Sequence, residues 1–350
     1  MHANSPSIPN SSTSPLPSRA VTPIAYVQAI VHVYEKRGIS PEQVLQMAQI
    51  TPKMLTDSKS RISAGQMECI SGAAMQELDD EALGWFARRL PWGSYGMLAR
   101  ASISANSLEV ALKRWCRHHA LIADDIALKL SISADSASLS ITEQRDLGAL
   151  REFCLVSVLR NIHGLACWLI DSRIPLLSAE FPFSAPVHGD FYRVLFSGPT
   201  QFEQSKAVIH FDSRYLALPL RRDEQALQQM LQRALPLTVL QYRRDRLLAT
   251  RVRQALVSHP LHSRSAEDLA ALLHVSPRTL HRQLKEKGTS LQTLKDEVRQ
   301  GRAQDLLLRT VRPIKQVAEA VGFQNEKSFI RAFRRWAGKS PGEFRQAARS

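Results

Sequence analysis

The 350-residue sequence predicts an α+β domain followed by an all-α domain. Between Thr22 and Asp212, helical and strand patterns mix without the repeated strand–helix–strand order of a parallel sheet. Beyond about residue 245, every periodic segment is helical. Of the net charge of +14, the stretch from Gln241 to Ser350 carries +13, with 23 Lys and Arg against 10 Asp and Glu. This segregation predicts that the second domain binds an anionic partner.

The patterns divide the chain into four parts. The first 20 residues contain six serines and four prolines and lack the apolar segment of a signal peptide. We therefore expect a disordered tail at 1–21 and the α+β domain at 22–233. A linker is expected at 234–246, and the all-α domain at 247–350.

Helical patterns in the first domain begin near its start. Thr22 and Pro23 are a favourable N-cap and first-turn pair, so a helix is expected to follow them. A longer helical pattern runs from Ala64 to about Leu90. The glycine-rich segment WGSYG at 92–96 is expected to be a break, and the next helix is expected to begin after Asn106 or Ser107.

Strands are predicted where apolar residues alternate with polar ones. IALKLSIS, from Ile126, has this period of two, and a turn at 134–136 connects it to a second alternating segment. The two segments together predict a hairpin. LLSAEF at 176–181 and AVIHFD at 207–212 resemble two further strands. The mostly apolar segment at 146–170 is long enough for a buried helix between the hairpin and these strands.

Several functional classes find no support in the residues. The four cysteines lack zinc and disulfide spacing, so they are expected to be reduced thiols in a cytoplasmic protein. His163 and Cys167 lie four residues apart but have no third ligand beside them. No P-loop, GxSxG, GxGxxG or HExxH motif occurs. We therefore expect no metal, no cofactor and no catalytic residue, and no apolar stretch reaches the ~18 residues of a membrane span.

The first half of the basic domain contains two short helical patterns joined by a tight turn. Ser265 is predicted to cap the first helix, with Asp268 completing a capping box. Ser276, followed by proline, is predicted to cap the second helix, whose Leu280 and Leu284 face inward. The outward-facing side chains of that helix are Arg278, His281, Arg282 and Lys285. This arrangement predicts a helix-turn-helix unit.

The same plan recurs near the C-terminus. Gly322 allows a turn, and Asn325 is the predicted N-cap of the second helix of this repeat. Phe329 and Phe333, four residues apart, are expected to pack inward, and Trp336 extends their stripe. The outward-facing side chains are Lys327, Arg331, Arg334 and Arg335. The all-α domain is therefore predicted to carry two helix-turn-helix motifs.

A long helix is predicted between the two units, from Leu291 to Arg309. Nineteen residues at ~1.5 Å each give a length of roughly 28 Å. Successive major-groove faces of B-DNA on one side of a duplex repeat every ~34 Å. A connector of this length could hold two recognition helices near adjacent grooves.

The run GFQNEKSFIRAFRRWAGKSPGEFR resembles the signature of the AraC-type (AraC/XylS) transcription regulators, and the upstream SPRTLHRQL matches the same family. The resemblance covers about Leu247 to Arg345 and implies a domain that binds double-stranded promoter DNA. It also implies base reading by both second helices, with Arg suited to guanine and Glu326 to cytosine. The implied base contacts are Arg278, His281, Arg282, Glu326, Lys327, Ile330 and Arg331. The implied phosphate contacts are Ser276, Lys285, Asn325, Arg334 and Lys339.

The first domain is similar to the arabinose-binding-type N-terminal domain of that family, over about Pro23 to Arg233. The resemblance implies an effector-sensing and dimerisation domain, an unidentified small-molecule effector, a homodimer, and RNA polymerase as the partner of an activator. No residue pattern assigns the effector pocket. The possible pocket groups are Trp92, Tyr95, His118, His119, Trp168, His188 and Tyr192.

Two other functions stay open at this stage. A DNA-repair enzyme that transfers methyl groups can carry a related DNA-binding module, but it would need a zinc-bound set of nucleophilic cysteines. The cysteines of this chain are dispersed, which disfavours that reading. A nonspecific nucleoid protein would bind DNA with little sequence preference.

Overall fold

The computed structural model describes residues 21–232, 245, 247–259 and 265–347. The chain divides into two compact units, residues 1–243 and residues 244–350. Of the predicted tail only Val21, and of the predicted linker only Asp245, belongs to the described residues. The predictions for the rest of those two segments therefore lie outside the described part of the chain.

The first unit combines helices with a small sheet. Its described helices are α1 (Ile24–Lys36), α2 (Glu42–Met47), α3 (Pro52–Thr56), α4 (Ala64–Glu77), α5 (Ser94–Ile103), α6 (Leu108–Ile122), α7 (Arg151–Leu169), α8 (Tyr192–Leu195) and α9 (Glu224–Leu231). Its described strands are β1 (Thr22–Pro23), β2 (Arg61–Ile62), β3 (Ile126–Ile132), β4 (Ser136–Glu143), β5 (Leu176–Glu180), β6 (Thr200–Gln201) and β7 (Ala207–Asp212).

Five of these strands form one sheet in the order β3-β4-β7-β5-β6. Neighbouring strands are antiparallel except β5 and β6. The alternating segments pair as β3 and β4, with Ile126 opposite Glu143 and Ile132 opposite Ala137, so the predicted hairpin is confirmed. α7 is buried along most of its length and packs near β7. The mixture of helices with an antiparallel-rich sheet confirms the α+β class.

The helix predicted from Ala64 to about Leu90 ends earlier, at Glu77. Asp80 replaces the helical hydrogen bonds beyond that point, because its buried carboxylate accepts hydrogen bonds from the backbone N–H groups of Ala82, Gly84 and Leu90. Aspartate competes with helix formation in this way by bonding nearby backbone donors. The following segment is therefore a compact loop rather than a further helical turn.

Two shorter predictions are also corrected. Thr22 does not cap α1; it belongs to β1 and lies opposite Ile62 of β2, and Pro23 is the N-cap. The glycine-rich segment is only partly a break, because α5 begins at Ser94. Gly93 precedes it with φ +101°, a conformation that glycine adopts without strain. The carboxylate of Glu81 then accepts hydrogen bonds from the N–H groups of Gly93 and Tyr95 and stabilises the start of α5.

The second unit is helical throughout its described residues. Its helices are α10 (Leu248–Ser258), α11 (Ala266–Leu272), α12 (Pro277–Glu286), α13 (Leu291–Arg309), α14 (Ile314–Ala320), α15 (Glu326–Ala337) and α16 (Pro341–Ala347). The capping box of Ser265 with Asp268 is present, and Ser276 and Asn325 accept N-cap hydrogen bonds as predicted. The connector α13 has the predicted limits.

The second unit has two separate hydrophobic cores, and α13 contributes to both. The first core contains Leu280 and Leu284 of α12 together with Leu294 from the start of α13. The second contains Phe329 and Phe333 of α15. Leu307, near the end of α13, packs in this second core. Each helix-turn-helix unit is therefore built around its own core and is joined to the other by one continuous helix.

Candidate nucleic-acid interface

The exposed face of α12 carries three of the predicted base contacts. Leu280 and Leu284 are buried, so the helix is anchored through one side. Arg278, His281 and Arg282 are exposed on the other side, where spacings of three and four residues bring them together. The structure therefore groups these three side chains on one solvent-facing surface.

The cap and the last turn of α12 hold the predicted phosphate contacts of this unit. Ser276 is exposed, and its hydroxyl accepts from the N–H of Thr279 at 3.1 Å. Lys285 is exposed on the last turn. The guanidinium of Arg282 lies 3.6 Å from the carboxylate of Glu286, and both side chains are about half exposed. Such an exposed pair is weak, so it can open at low cost.

The face of α15 repeats this arrangement with one difference. Phe329 and Phe333 are fully buried. Lys327 and Arg331 are exposed one turn apart. The remaining predicted base contacts of this helix, Glu326 and Ile330, are only half-exposed. The cationic pair is thus more exposed than the acidic and apolar members.

The N-cap and C-terminal turn of α15 carry the remaining predicted phosphate contacts. Asn325 is exposed, and its carbonyl oxygen accepts from the N–H of Ser328 at 2.8 Å. Arg334 and Lys339 are exposed. Arg335 instead reaches back to Asp296 of α13, at 3.1 Å. Because 69% of the Arg335 side chain is exposed, this pair is also weak and leaves Arg335 at the surface. The DNA contacts of all twelve residues remain predictions.

A buried polar cluster behind α12 was missed by the sequence patterns. Gln283 is 3% exposed although it belongs to the predicted recognition helix, and its side-chain oxygen accepts from the N–H of Asp245. The carboxylate of Asp245 accepts from Arg251 at 2.9 Å. Arg251 also donates to the carbonyl of Leu273, at the end of α11. These bonds fix the orientation of α12 from behind, and no local spacing signals a contact across 38 residues.

Two of the seven possible pocket groups in the first unit line a common cavity. Tyr95 of α5 and His119 of α6 face it, together with Trp85 and Trp115, which the sequence patterns did not single out. Burial lowers the pKa of His119 to about 4, so this imidazole is neutral at physiological pH. The spacing of four residues between Trp115 and His119 on an amphipathic helix was the available signal.

The other possible pocket groups serve different purposes. His188 and Tyr192 both hydrogen-bond the carboxylate of Glu152, at 2.7 and 2.9 Å. The ring of Trp168 is covered by the guanidinium of Arg222 at 5.4 Å. The remaining two, Trp92 and His118, do not line the cavity of Tyr95 and His119. Trp92 is 50% exposed.

Among the described residues, no group of three or more His, Cys, Asp or Glu side chains could hold a metal ion. His163 is engaged within the core, with Nδ1 3.0 Å from Arg160 and Nε2 2.8 Å from the carbonyl of Ile174. The four cysteines are free thiols. In the part of the chain that the structure describes, no helix combines the length and apolar character needed to cross a bilayer.

Comparison with known proteins gives matches in both units. Residues 38–220 match the arabinose-binding domain of AraC transcription regulators, and residues 269–347 match a helix-turn-helix domain. An ornithine utilization regulator from Pseudomonas aeruginosa is 27% identical over 328 residues, which cover 93% of this chain and 97% of that protein. The bifunctional transcriptional activator/DNA repair enzyme AdaA of Bacillus subtilis is 36% identical over 84 residues, covering 24% of this chain and 40% of that protein.

Among solved structures, the transcriptional regulator CdpR from P. aeruginosa is 23% identical and has a TM-score of 0.32, with 89% of this chain and 98% of that chain covered. The profile match to the first unit spans more than half of the chain. The similarity to the repair enzyme is confined to about a quarter of it. The chain therefore belongs to the AraC-type transcription regulators, with an arabinose-binding-type N-terminal domain and a helix-turn-helix DNA-binding domain.

Proposed function

We propose that this regulator reads promoter DNA with α12 and α15 in two successive major grooves, and that a small-molecule effector bound by the first unit changes that reading. The observation that carries the proposal is the pair of exposed cationic faces on two helices joined by α13. Arg278 and Arg282 lie on the first face, and Lys327 and Arg331 on the second. Arginine can bond O6 and N7 of guanine at the same time, so these faces suit base reading.

The phosphate contacts supply affinity rather than sequence information in this proposal. Ser276 and Lys285 flank the reading face of α12, and Asn325, Arg334 and Lys339 flank that of α15. Cations at such positions displace counterions from the duplex, so they make binding dependent on salt. The concentration of basic residues in the second unit favours this role.

The remaining parts of the proposal concern assembly and chemistry. We expect a cytoplasmic homodimer, because one chain reads one half-site, and RNA polymerase as the partner at an activated promoter. We expect no enzymatic activity. Burial raises the pKa of Cys116 to about 11 and also raises the pKa of Cys154, so these two thiols are poor nucleophiles at neutral pH. The methyl-transfer alternative has no support from them.

Selection of genomic fragments by the purified full chain tests the function. The dissociation constant of a selected fragment is then measured at fixed salt against bulk competitor DNA. We expect the selected fragment to bind at least about a thousandfold more tightly than bulk DNA. Equal binding of both would leave only the nucleoid alternative. A stoichiometric zinc content would instead favour the repair enzyme.

A further inference from the structure

A cavity in the first unit is framed by aromatic side chains from three segments. Trp85 comes from the loop after α4, Tyr95 from α5, and Trp115 and His119 from α6. The volume of this cavity is ≈ 50 Å³. A single ordered water needs ~10–15 Å³, so this volume holds a few water molecules and admits one end of a small organic molecule.

Four residues that line this cavity each carry a buried polar side-chain atom that lacks a hydrogen-bond partner among the described residues. These atoms are Trp85 Nε1, Tyr95 Oη, Trp115 Nε1 and His119 Nδ1. Trp85, Trp115 and His119 are 7%, 3% and 5% exposed. Buried polar groups in folded proteins are nearly always hydrogen-bonded, and each exception needs an explanation. Four exceptions around one cavity indicate a site built to bond a ligand.

The wall is held in place by contacts of its own residues. The ring of Tyr95 lies edge-on to that of Trp115 at 5.4 Å, and the ring of His119 lies edge-on to that of Phe86 at 5.9 Å. Asp80 fixes the loop that carries Trp85 through its bonds to backbone N–H groups. The polar atoms are thus preorganised, and a ligand does not have to order them.

The donors determine the chemistry of the ligand. Each indole N–H of Trp85 and Trp115 can only donate, so the ligand must offer hydrogen-bond acceptors, of which carbonyl and hydroxyl oxygens are the commonest. No Lys or Arg occurs among the described residues that line this cavity, whereas the carboxylate of Glu81 does line it. An anion would therefore be buried without a cation and beside a like charge, which is unfavourable. The rest of the wall is mostly apolar and includes Leu90 and Leu98, with Ser94 and Asn161 as its other polar residues.

We propose that this cavity is the effector site and that it takes a small uncharged molecule with carbonyl or hydroxyl oxygens on an apolar body. This assignment rests on the proposed effector-dependent function. A second cavity of ≈ 60 Å³ shares Trp85 and Asn161 with the first and therefore lies next to it. Arg160 lines that second cavity, but its guanidinium bonds His163 and lies 5.8 Å from the ring centre of Phe196.

Helix α5 lines the cavity and also contacts α9, the last described helix of the first unit. Tyr95 lines the cavity, and the next residue, Gly96, packs against Leu231 of α9. A Cβ added to Gly96 would lie 3.1 Å from that leucine. Arg100 also pairs with Glu224 at the start of α9, at 2.8 Å. α9 is the last described helix before the DNA-binding unit, so α5 connects the cavity wall with the end of the described part of the first unit.

The test uses three probes with the same ring: benzamide, benzoate and benzylammonium. The midpoint of thermal unfolding of the full chain is measured against the concentration of each probe. We expect benzamide to stabilise the chain and to bind at least about tenfold more tightly than either ion. Equal or tighter binding of benzoate or benzylammonium, or no binding of any probe, would overturn the proposal.

The Tyr95→Phe variant removes one unpartnered hydroxyl and keeps the ring. We expect an unchanged or higher unfolding midpoint without probe, and about three- to tenfold weaker benzamide binding. Tyr34→Phe is the matched control. The hydroxyl of Tyr34 donates a hydrogen bond of 2.7 Å to Glu77, and Tyr34 does not line the cavity. That variant should lower the midpoint and leave benzamide binding unchanged. A lower midpoint in Tyr95→Phe with unchanged benzamide binding would contradict the site.

Binding to a selected DNA fragment separates this proposal from the proposed function. The DNA affinity is measured in the presence and absence of benzamide. A change in the affinity of the wild type that is smaller in Tyr95→Phe supports both the effector site and the proposed function. A benzamide response that Tyr95→Phe leaves intact overturns the site and keeps the function. Benzamide binding that depends on Tyr95 but never alters DNA affinity shows a ligand site in this cavity and overturns its assignment as the effector site.

Discussion

The two helix-turn-helix units reach the same arrangement of helices with different interiors. The first helix-turn-helix unit packs aliphatic side chains, with Leu269, Leu280 and Leu284 fully buried. The second packs rings: Phe329 lies 5.7 Å from Phe333 and 5.6 Å from Phe323, centre to centre. The difference shows that the outer face of each recognition helix depends on the spacing of its inner residues, not on their chemical type.

The polar interior of the two units also differs. The first helix-turn-helix unit buries Asp245 and Gln283 behind α12. Among the described residues from 291 to 347, no charged or amide side chain is buried. The orientation of α12 therefore depends on a specific hydrogen-bond network, whereas that of α15 depends on the packing of rings. Polar networks of this kind specify one arrangement, but they are costly when one partner is removed.

The largest expected effect comes from the aromatic core. Phe329→Ala removes a fully buried ring and should destabilise the second helix-turn-helix unit by about 4 kcal/mol, against about 3 kcal/mol for Leu280→Ala in the first. Hydrogen exchange followed peptide by peptide measures both. Each variant should speed exchange mainly in its own unit. Equal acceleration in both units would show one cooperative domain and would break the comparison.

Removing the buried carboxylate tests the polar network. Asp245→Ala leaves Arg251, whose side chain is 10% exposed, without this partner and should cost about 3 kcal/mol. Arg253→Ala breaks an exposed pair with Glu297 and serves as the control, with a cost below about 1 kcal/mol. Chemical denaturation of the two variants gives the comparison. Similar losses would mean that the buried network does not orient α12.

The reading faces should differ from the positioning residues in their effect on DNA binding. Arg282→Ala and Arg331→Ala should each cost about 1–3 kcal/mol at particular base pairs and relax specificity there. Lys339→Ala should weaken all sequences alike and lower the slope of log affinity against log salt by about one. Titrations of substituted sites at several salt concentrations measure both quantities. A uniform loss in all three variants would contradict the division into reading and positioning residues.

The smallest expected effect concerns the turn between α14 and α15 in the second helix-turn-helix unit. Gly322 has φ +82°, and a Cβ there would meet only the side chain of Arg299 at 3.8 Å. Gly322→Ala should therefore cost about 1 kcal/mol through backbone conformation rather than a clash. Gly322→Asn should cost less, since asparagine tolerates this conformation. Thermal unfolding of the two variants ranks them, and a larger loss for asparagine would indicate a steric cause.

The features that could be predicted from the sequence are those that depend on neighbouring residues. The caps at Ser265, Ser276 and Asn325 were predictable because a side chain bonds a backbone group three residues away. The limits of α13 followed from its periodic pattern in the same way. The inward positions of Leu280 and Phe329 followed from a spacing of four residues.

The features that could not be predicted depend on contacts between distant segments. Asp80 ends the helical pattern only because its carboxylate reaches N–H groups up to ten residues away. Gln283 resembles a solvent-facing residue of α12 until Asp245, 38 residues earlier, is placed against it. The cavity wall joins Trp85, Tyr95 and Trp115 from three segments whose proximity no local period encodes.

The number of residues in the connector α13 determines the spacing of the exposed faces of α12 and α15. Leu294 anchors it in one core and Leu307 in the other, so both ends are fixed. One residue inserted between these anchors would turn the far core by ~100° and shift it by ~1.5 Å. Seven inserted residues would nearly restore the rotation but would shift the far core by about 10 Å. The number of residues in α13 therefore sets both the distance and the relative rotation of the two cores, and with them of the exposed faces of α12 and α15.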